Sequence, residues 1–154
     1  MIRWLIIFLF NSIMTAGQVK EDLVRVSVPK VRAQAGRQSV INISVEVKNG
    51  YHIQTHEVKL NEFIISTTLE IDGGKEFIIN NHVFPTAKKF TLEGTDQYLD
   101  VYDGKFEVQT FFTTGKKIHK NIHHLNGKLN YQACDSLRCL FPRTVEFSID
   151  VDVR

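Results

Sequence analysis

Cysteine is scarce in this chain, and so are the usual signatures of catalysis. Cys134 and Cys139 are the only cysteines among 154 residues. A closed structural zinc centre built on cysteine pairs is therefore excluded, and only one intrachain disulfide is possible. The sequence has no Gly-rich phosphate loop, no nucleophile elbow and no His-Glu-x-x-His motif. Charge of a single sign is lacking too: 19 Lys and Arg face 17 Asp and Glu, a net of +2. That balance gives no argument for nucleic acid or an anionic membrane surface. Low-complexity tracts and internal repeats are absent. Beyond residue 17 no apolar run is long enough to span a bilayer, so the mature chain is expected to carry no transmembrane segment.

The first 17 residues differ in character from the rest. Arg3 provides a positive start, Trp4 to Phe10 are almost wholly apolar, and Thr15-Ala16-Gly17 places small residues where a signal peptidase cuts. Residues 1–17 read as a cleavable secretory signal, with an uncleaved anchor as the weaker alternative. Removing them leaves 18 positive against 17 negative side chains. Residues 18–154 suit a single domain, and the whole 154-residue sequence is of ordinary globular composition, 43% hydrophobic and 23% charged. Export to a periplasmic or secreted location places the two cysteines where a bonded pair is the resting state.

Period-2 alternation dominates the chain beyond residue 17. Ile41, Ile43, Val45 and Val47 alternate with polar residues, and Lys48-Asn49-Gly50 supplies a turn into a run over 51–56. Further strands are expected over 23–28, 63–71, 97–102, 106–113, 117–123 and 129–133. Asp103-Gly104 reads as the strongest hairpin signal and Asn126-Gly127 as another turn. Val145, Phe147, Ile149, Val151 and Val153 share one face of the last strand. Pro85 and the residues after it interrupt the pattern, so 80–95 is expected to be a long loop. Seven to nine such strands indicate an all-β, antiparallel sandwich.

Few residues within that scaffold carry chemistry. His119, His123 and His124 form a cluster, but extended backbone sends His123 and His124 to opposite faces, and the cluster reads as a solvated strand end. Asn42-Ile43-Ser44 matches a glycosylation acceptor inside an expected strand, where a chance match is the simpler reading. The cysteines remain, with four residues between them in the segment Tyr131-Gln132-Ala133-Cys134-Asp135-Ser136-Leu137-Arg138-Cys139. A bridge over so short a loop is worth only about 2 kcal/mol. On local features it is a redox reagent or a hairpin staple. Arg138 favours thiolate at Cys139, whereas Asp135 opposes it near Cys134.

The segment Tyr131-Gln132-Ala133-Cys134, followed by Cys139-Leu140 and Pro142, resembles the active-site segment of the periplasmic N-terminal domain of DsbD-type thiol:disulfide interchange proteins. Gly50-Tyr51-His52-Ile53, Phe84-Pro85, Phe90 and Leu99-Asp100-Val101-Tyr102-Asp103-Gly104 resemble upstream parts of that family in the same order, and the similarity runs over roughly residues 38–153. The resemblance implies an immunoglobulin-like sandwich that relays reducing equivalents, with no cofactor beyond a Cys134–Cys139 disulfide. It implies Cys139 as the sulfur forming a mixed disulfide and Cys134 as the resolving thiol. His52 and Gln54 line the site where the family presents tyrosines, with Tyr131, Phe90 and Tyr98 as further lining residues. Residues 90–97 would supply a cap, although Glu93-Gly94-Thr95 departs from the family's acidic and aromatic residues there. Implied partners are a thioredoxin-like or membrane electron-carrier protein acting in trans, and oxidised extracytoplasmic clients such as disulfide isomerases and cytochrome c maturation factors. The alternative is a non-catalytic binding or adhesion sandwich whose disulfide secures a hairpin.

Overall fold

The computed structural model describes residues 22–57, 64–94, 96 and 98–154; the expected signal segment 1–17, residue 63 of one expected strand, and Thr95 and Gln97 of the expected cap lie outside them. Twelve strands occur among the described residues: β1 (Val24–Ser27), β2 (Val31–Ala33), β3 (Gln38–Val47), β4 (His52–Gln54), β5 (Thr68–Asp72), β6 (Phe77–Val83), β7 (Lys88–Thr91), β8 (Tyr98–Asp103), β9 (Lys105–Thr114), β10 (Ile122–Tyr131), β11 (Ala133–Cys134) and β12 (Arg143–Val153). They build three four-stranded sheets in the orders β1-β3-β9-β6, β2-β12-β10-β5 and β11-β4-β8-β7. All pairings among these strands are antiparallel except β12 with β2. The molecule is an all-β, immunoglobulin-like antiparallel sandwich.

Alternation explains the two large sheets. Ile41, Ile43, Val45 and Val47 of β3 meet Val108 and Phe112 of β9 on one inner face. Leu125 and Leu129 of β10 and Ile149, Val151 and Val153 of β12 supply the other. Their fusion into one buried cluster is the dominant source of stability, at roughly 1.5–3 kcal/mol per fully buried aliphatic side chain.

Several turn expectations give way to longer-range pairing. Asp103-Gly104 is not a hairpin: β8 pairs with β4 and β7, whereas β9 pairs with β3 and β6. Gly104, at φ 59°, is the bend where the chain passes from one sheet to another. Asn126-Gly127 is likewise no turn but the middle of β10, paired to Ser148 and Phe147. A Cβ on Gly127 would lie 2.4 Å from ring carbons of Phe147, so the glycine makes room for a cross-strand ring. The strand expected over 117–123 begins only at Ile122, and the expected loop over 80–95 contains the end of β6 and all of β7. Strand pairing satisfies those backbones despite Pro85, which falls in the gap between β6 and β7.

The third sheet is short and has two unlike faces. Register places Ala133, Ile53 and Tyr102 opposite one another, and all three join the main core. Cys134, His52 and Asp103 are likewise mutual partners and project from the other face. That second face carries the candidate site.

Candidate redox site

Cys134 ends β11, and Cys139 returns to form an isolated bridge with it. The turn between them is built by Asp135. Its backbone N–H donates to Arg138 O at 2.9 Å, and its Oδ1 accepts from the N–H groups of Leu137 and Arg138 at 2.9 and 2.8 Å. Those two amides hold the carboxyl below the usual carboxylate range. Leu140 N–H donates to Ala133 O at 2.7 Å, closing the loop. The sulfurs are joined as a Cys134–Cys139 disulfide with a Cα–Cα distance of 3.9 Å.

The two sulfurs differ sharply in surroundings. Cys134 is 0% exposed, whereas Cys139 is half-buried at the rim. The Gln54 carboxamide, 1% exposed, donates from Nε2 to Cys134 Sγ at 3.0 Å and reaches Cys139 Sγ at 3.7 Å. The Arg138 side chain is exposed and faces the Asp135 carboxylate at 3.9 Å.

His52 lies on the same face, directly across from Cys134 in the ladder. It is 4% exposed, and its Nε2 is buried without a hydrogen-bond partner among the described residues. Burial lowers its pKa, against the opposing pull of Asp103 and Asp135. The Phe90 ring from β7 covers it, with ring centroids 3.9 Å apart. Phe90 is thus a strand residue that leans across β8, where Leu99 and Val101 form the floor. Just beyond β7, Glu93 N–H donates to Ser136 O at 3.0 Å. The segment after β7 therefore touches the cysteine turn and draws together the two edges of this sheet.

Other expected lining residues are placed elsewhere. Tyr131 is buried in the main core, and burial raises its pKa against the influence of Arg143. Tyr98 is exposed at the end of β8, opposite Thr91. Gln132, singled out in the sequence only as part of the cysteine segment, braces the site: its Oε1 accepts from Ile65 N–H at 2.9 Å and its Nε2 donates to Leu140 O at 3.2 Å. Only its place as a polar residue close to a cysteine hints at that role. Leu137 and Phe141, the latter 89% exposed, flank Cys139 as large apolar surface.

The histidine cluster resolves into separate contacts. His124 pairs with Asp150 at 2.7 Å, and His123 Nε2 meets His119 O at 2.8 Å. Among the described residues no group of three His, Cys, Asp or Glu could hold a metal ion. No helix among them is long and apolar enough to cross a membrane.

The structure is similar to the N-terminal periplasmic domain of ScsB from Proteus mirabilis, with a TM-score of 0.53 and 14% identity over 84% of this chain and 45% of that one. The chain thus spans less than half the length of that protein. The reduced N-terminal domain of DsbD from Neisseria meningitidis gives a TM-score of 0.46 and 18% identity, covering 79% of this chain and 82% of that one. No curated protein is detectably similar in sequence. Residues 20–150 match the family described as "Thiol:disulfide interchange protein DsbD, N-terminal". With that match over most of its length and a bonded cysteine pair on a covered face, the chain belongs to the family of DsbD N-terminal domains.

Proposed function

We propose that the protein is an exported thiol–disulfide exchange domain that passes reducing equivalents between extracytoplasmic proteins through Cys139 and Cys134. The observation that carries the reading is the asymmetry of the disulfide: Cys139 stands at the rim, whereas Cys134 is wholly buried beside Gln54. The half-buried Cys139 is open to an incoming thiolate in a way that the fully buried Cys134 is not. Exchange proceeds by thiolate attack in line with the disulfide, so access selects the sulfur that is attacked.

Attack by one thiolate of a partner dithiol forms a bond to Cys139 Sγ and breaks the Cys134–Cys139 bond, whose electron pair remains on Cys134. The partner's second thiolate then attacks its own sulfur in the mixed disulfide and releases Cys139. Two electrons have moved, the partner is left as a disulfide, and solvent protons complete both thiols. Run in reverse, the reduced pair opens an oxidised client through Cys139, and Cys134 resolves the mixed disulfide. A thioredoxin-like protein suits the dithiol role, and Leu137 and Phe141 offer it apolar contact beside Cys139. Location in the periplasm or outside the cell keeps the pair in an oxidising compartment, where it is functional only if a reductant is delivered.

Mixed-disulfide trapping tests the assignment. With Cys134→Ala, Cys139 should accumulate adducts with thioredoxin-like or client proteins that dithiothreitol releases. Trapping through Cys134 in Cys139→Ala instead, or no adduct from either variant, would contradict it.

A further inference from the structure

One buried amide stands directly beside the sulfurs. The Gln54 carboxamide points its Nε2 at Cys134 Sγ from 3.0 Å, with Cys139 Sγ at 3.7 Å. Burying an amide is costly unless it finds a good partner, and cysteine sulfur in its neutral forms accepts only weakly. The donor is therefore poorly matched to the closed disulfide. A thiolate at the same place would be a charged acceptor, for which such a hydrogen bond is roughly twice as strong. The site is complementary to the charge that appears when the bond opens rather than to the bond itself, the logic by which preorganised donors stabilise developing anions.

Gln54 is also held in place before any charge develops. Its backbone N–H donates to Gln132 O at 3.2 Å, and its carbonyl accepts from Thr67 Oγ1 at 2.5 Å. Its strand is flanked on both sides, by β11 and by β8. Cys134 needs such help, because full burial disfavours a thiolate. Arg138 turns toward Asp135 instead.

We propose that Gln54 is a catalytic residue of the exchange reaction, donating from Nε2 to the Cys134 thiolate as that sulfur leaves or attacks. The inference rests on the exchange reading above and deepens it. When a thiolate attacks Cys139 Sγ, the new bond forms there, the Cys134–Cys139 bond breaks, and its electron pair settles on Cys134 Sγ, which Gln54 then solvates. In the reverse direction the same donor enlarges the thiolate fraction of the resolving cysteine. Because a better leaving thiolate leaves faster, the donor accelerates both directions.

Two measurements test it. In a reduced Cys139→Ser variant, Cys134 is the sole thiol, and its titration can be followed by thiolate absorbance. Cys134 should titrate at or below about 8.5, the value of a free cysteine, and adding Gln54→Leu should raise it. In the otherwise native protein, Gln54→Leu should slow opening of the disulfide by dithiothreitol about tenfold, the effect of losing one hydrogen bond to a charged group. Where Gln54→Leu fails to fold, the Cys139→Ser titration decides alone: a value well above that of free cysteine overturns the proposal. Equal opening rates for folded Gln54→Leu and the native protein overturn the role of Gln54 and leave exchange standing. A native disulfide that dithiothreitol cannot open overturns both.

Discussion

His52 occupies a costly position for an imidazole. It is buried under Phe90, across the ladder from Cys134, with Nε2 unpartnered among the described residues. Its pKa falls below 6.5 because burial outweighs Asp103 and Asp135. Between the folded and unfolded pKa values, the unfolded chain binds a proton that the folded chain refuses. Stability is therefore fully present above about 6.5 and is lost as pH falls through the window beneath it. His82, bonded to Thr110 and also depressed by burial, adds to the same trend. Thermal unfolding of the native protein should thus weaken from pH 7 toward pH 5, and His52→Gln should flatten part of that slope. An identical slope in the variant would contradict the account. Alternation makes this much legible in the sequence, since it sets His52 and Gln54 opposite the core-facing Ile53. It cannot show that their face is covered, because the cover comes from Phe90 on a strand that the Pro85 interruption conceals. Arg138 makes a related point: its guanidinium faces Asp135 at 3.9 Å, and sequence adjacency does not say which way an exposed guanidinium turns.

At the scale of elements, β7 and Glu93 just beyond it lie over this face. Phe90 lies over His52, and Glu93 N–H reaches Ser136 O on the cysteine turn. Phe90→Ala should uncover His52 and loosen the cover beside the disulfide, and so speed dithiothreitol attack on Cys139 several-fold, while leaving the sandwich folded. An unchanged rate would show that the ring does not limit access. Along β10, Gly127 accommodates the Phe147 ring, so Gly127→Ala forces that ring to move and should lower stability by about 1 kcal/mol in chemical denaturation. A stability equal to native would mean the ring yields freely. Asp103-Gly104 reads as a hairpin and Asn126-Gly127 as a turn in the sequence because such glycine pairs mark bends and close approaches as readily as chain reversals. Only partners distant in sequence, such as β3 for β9 and Phe147 for Gly127, distinguish these cases.

In the whole molecule the apolar interior is divided between the sandwich core, built by β3, β9, β10 and β12, and the smaller covered face that holds Cys134, Gln54, His52, Leu99 and Val101. The cysteines lie outside the first. Replacing both by alanine should therefore cost about 2 kcal/mol, the entropy of so short a loop, and leave a cooperative unfolding transition. Collapse of the fold on reduction would identify a staple instead. The strong alternation of β3 and β12 makes the sandwich readable from sequence, whereas the small sheet, assembled from strands of two to six residues, leaves almost no periodic signal. On the proposed reading, that small sheet carries a pair that opens and closes in exchange. Equilibration of the native protein with glutathione buffers, read out by alkylation of Cys139, tests it most directly. The pair should become reduced at a potential above about −300 mV; a disulfide still intact below that value would be structural, and the exchange account would be wrong.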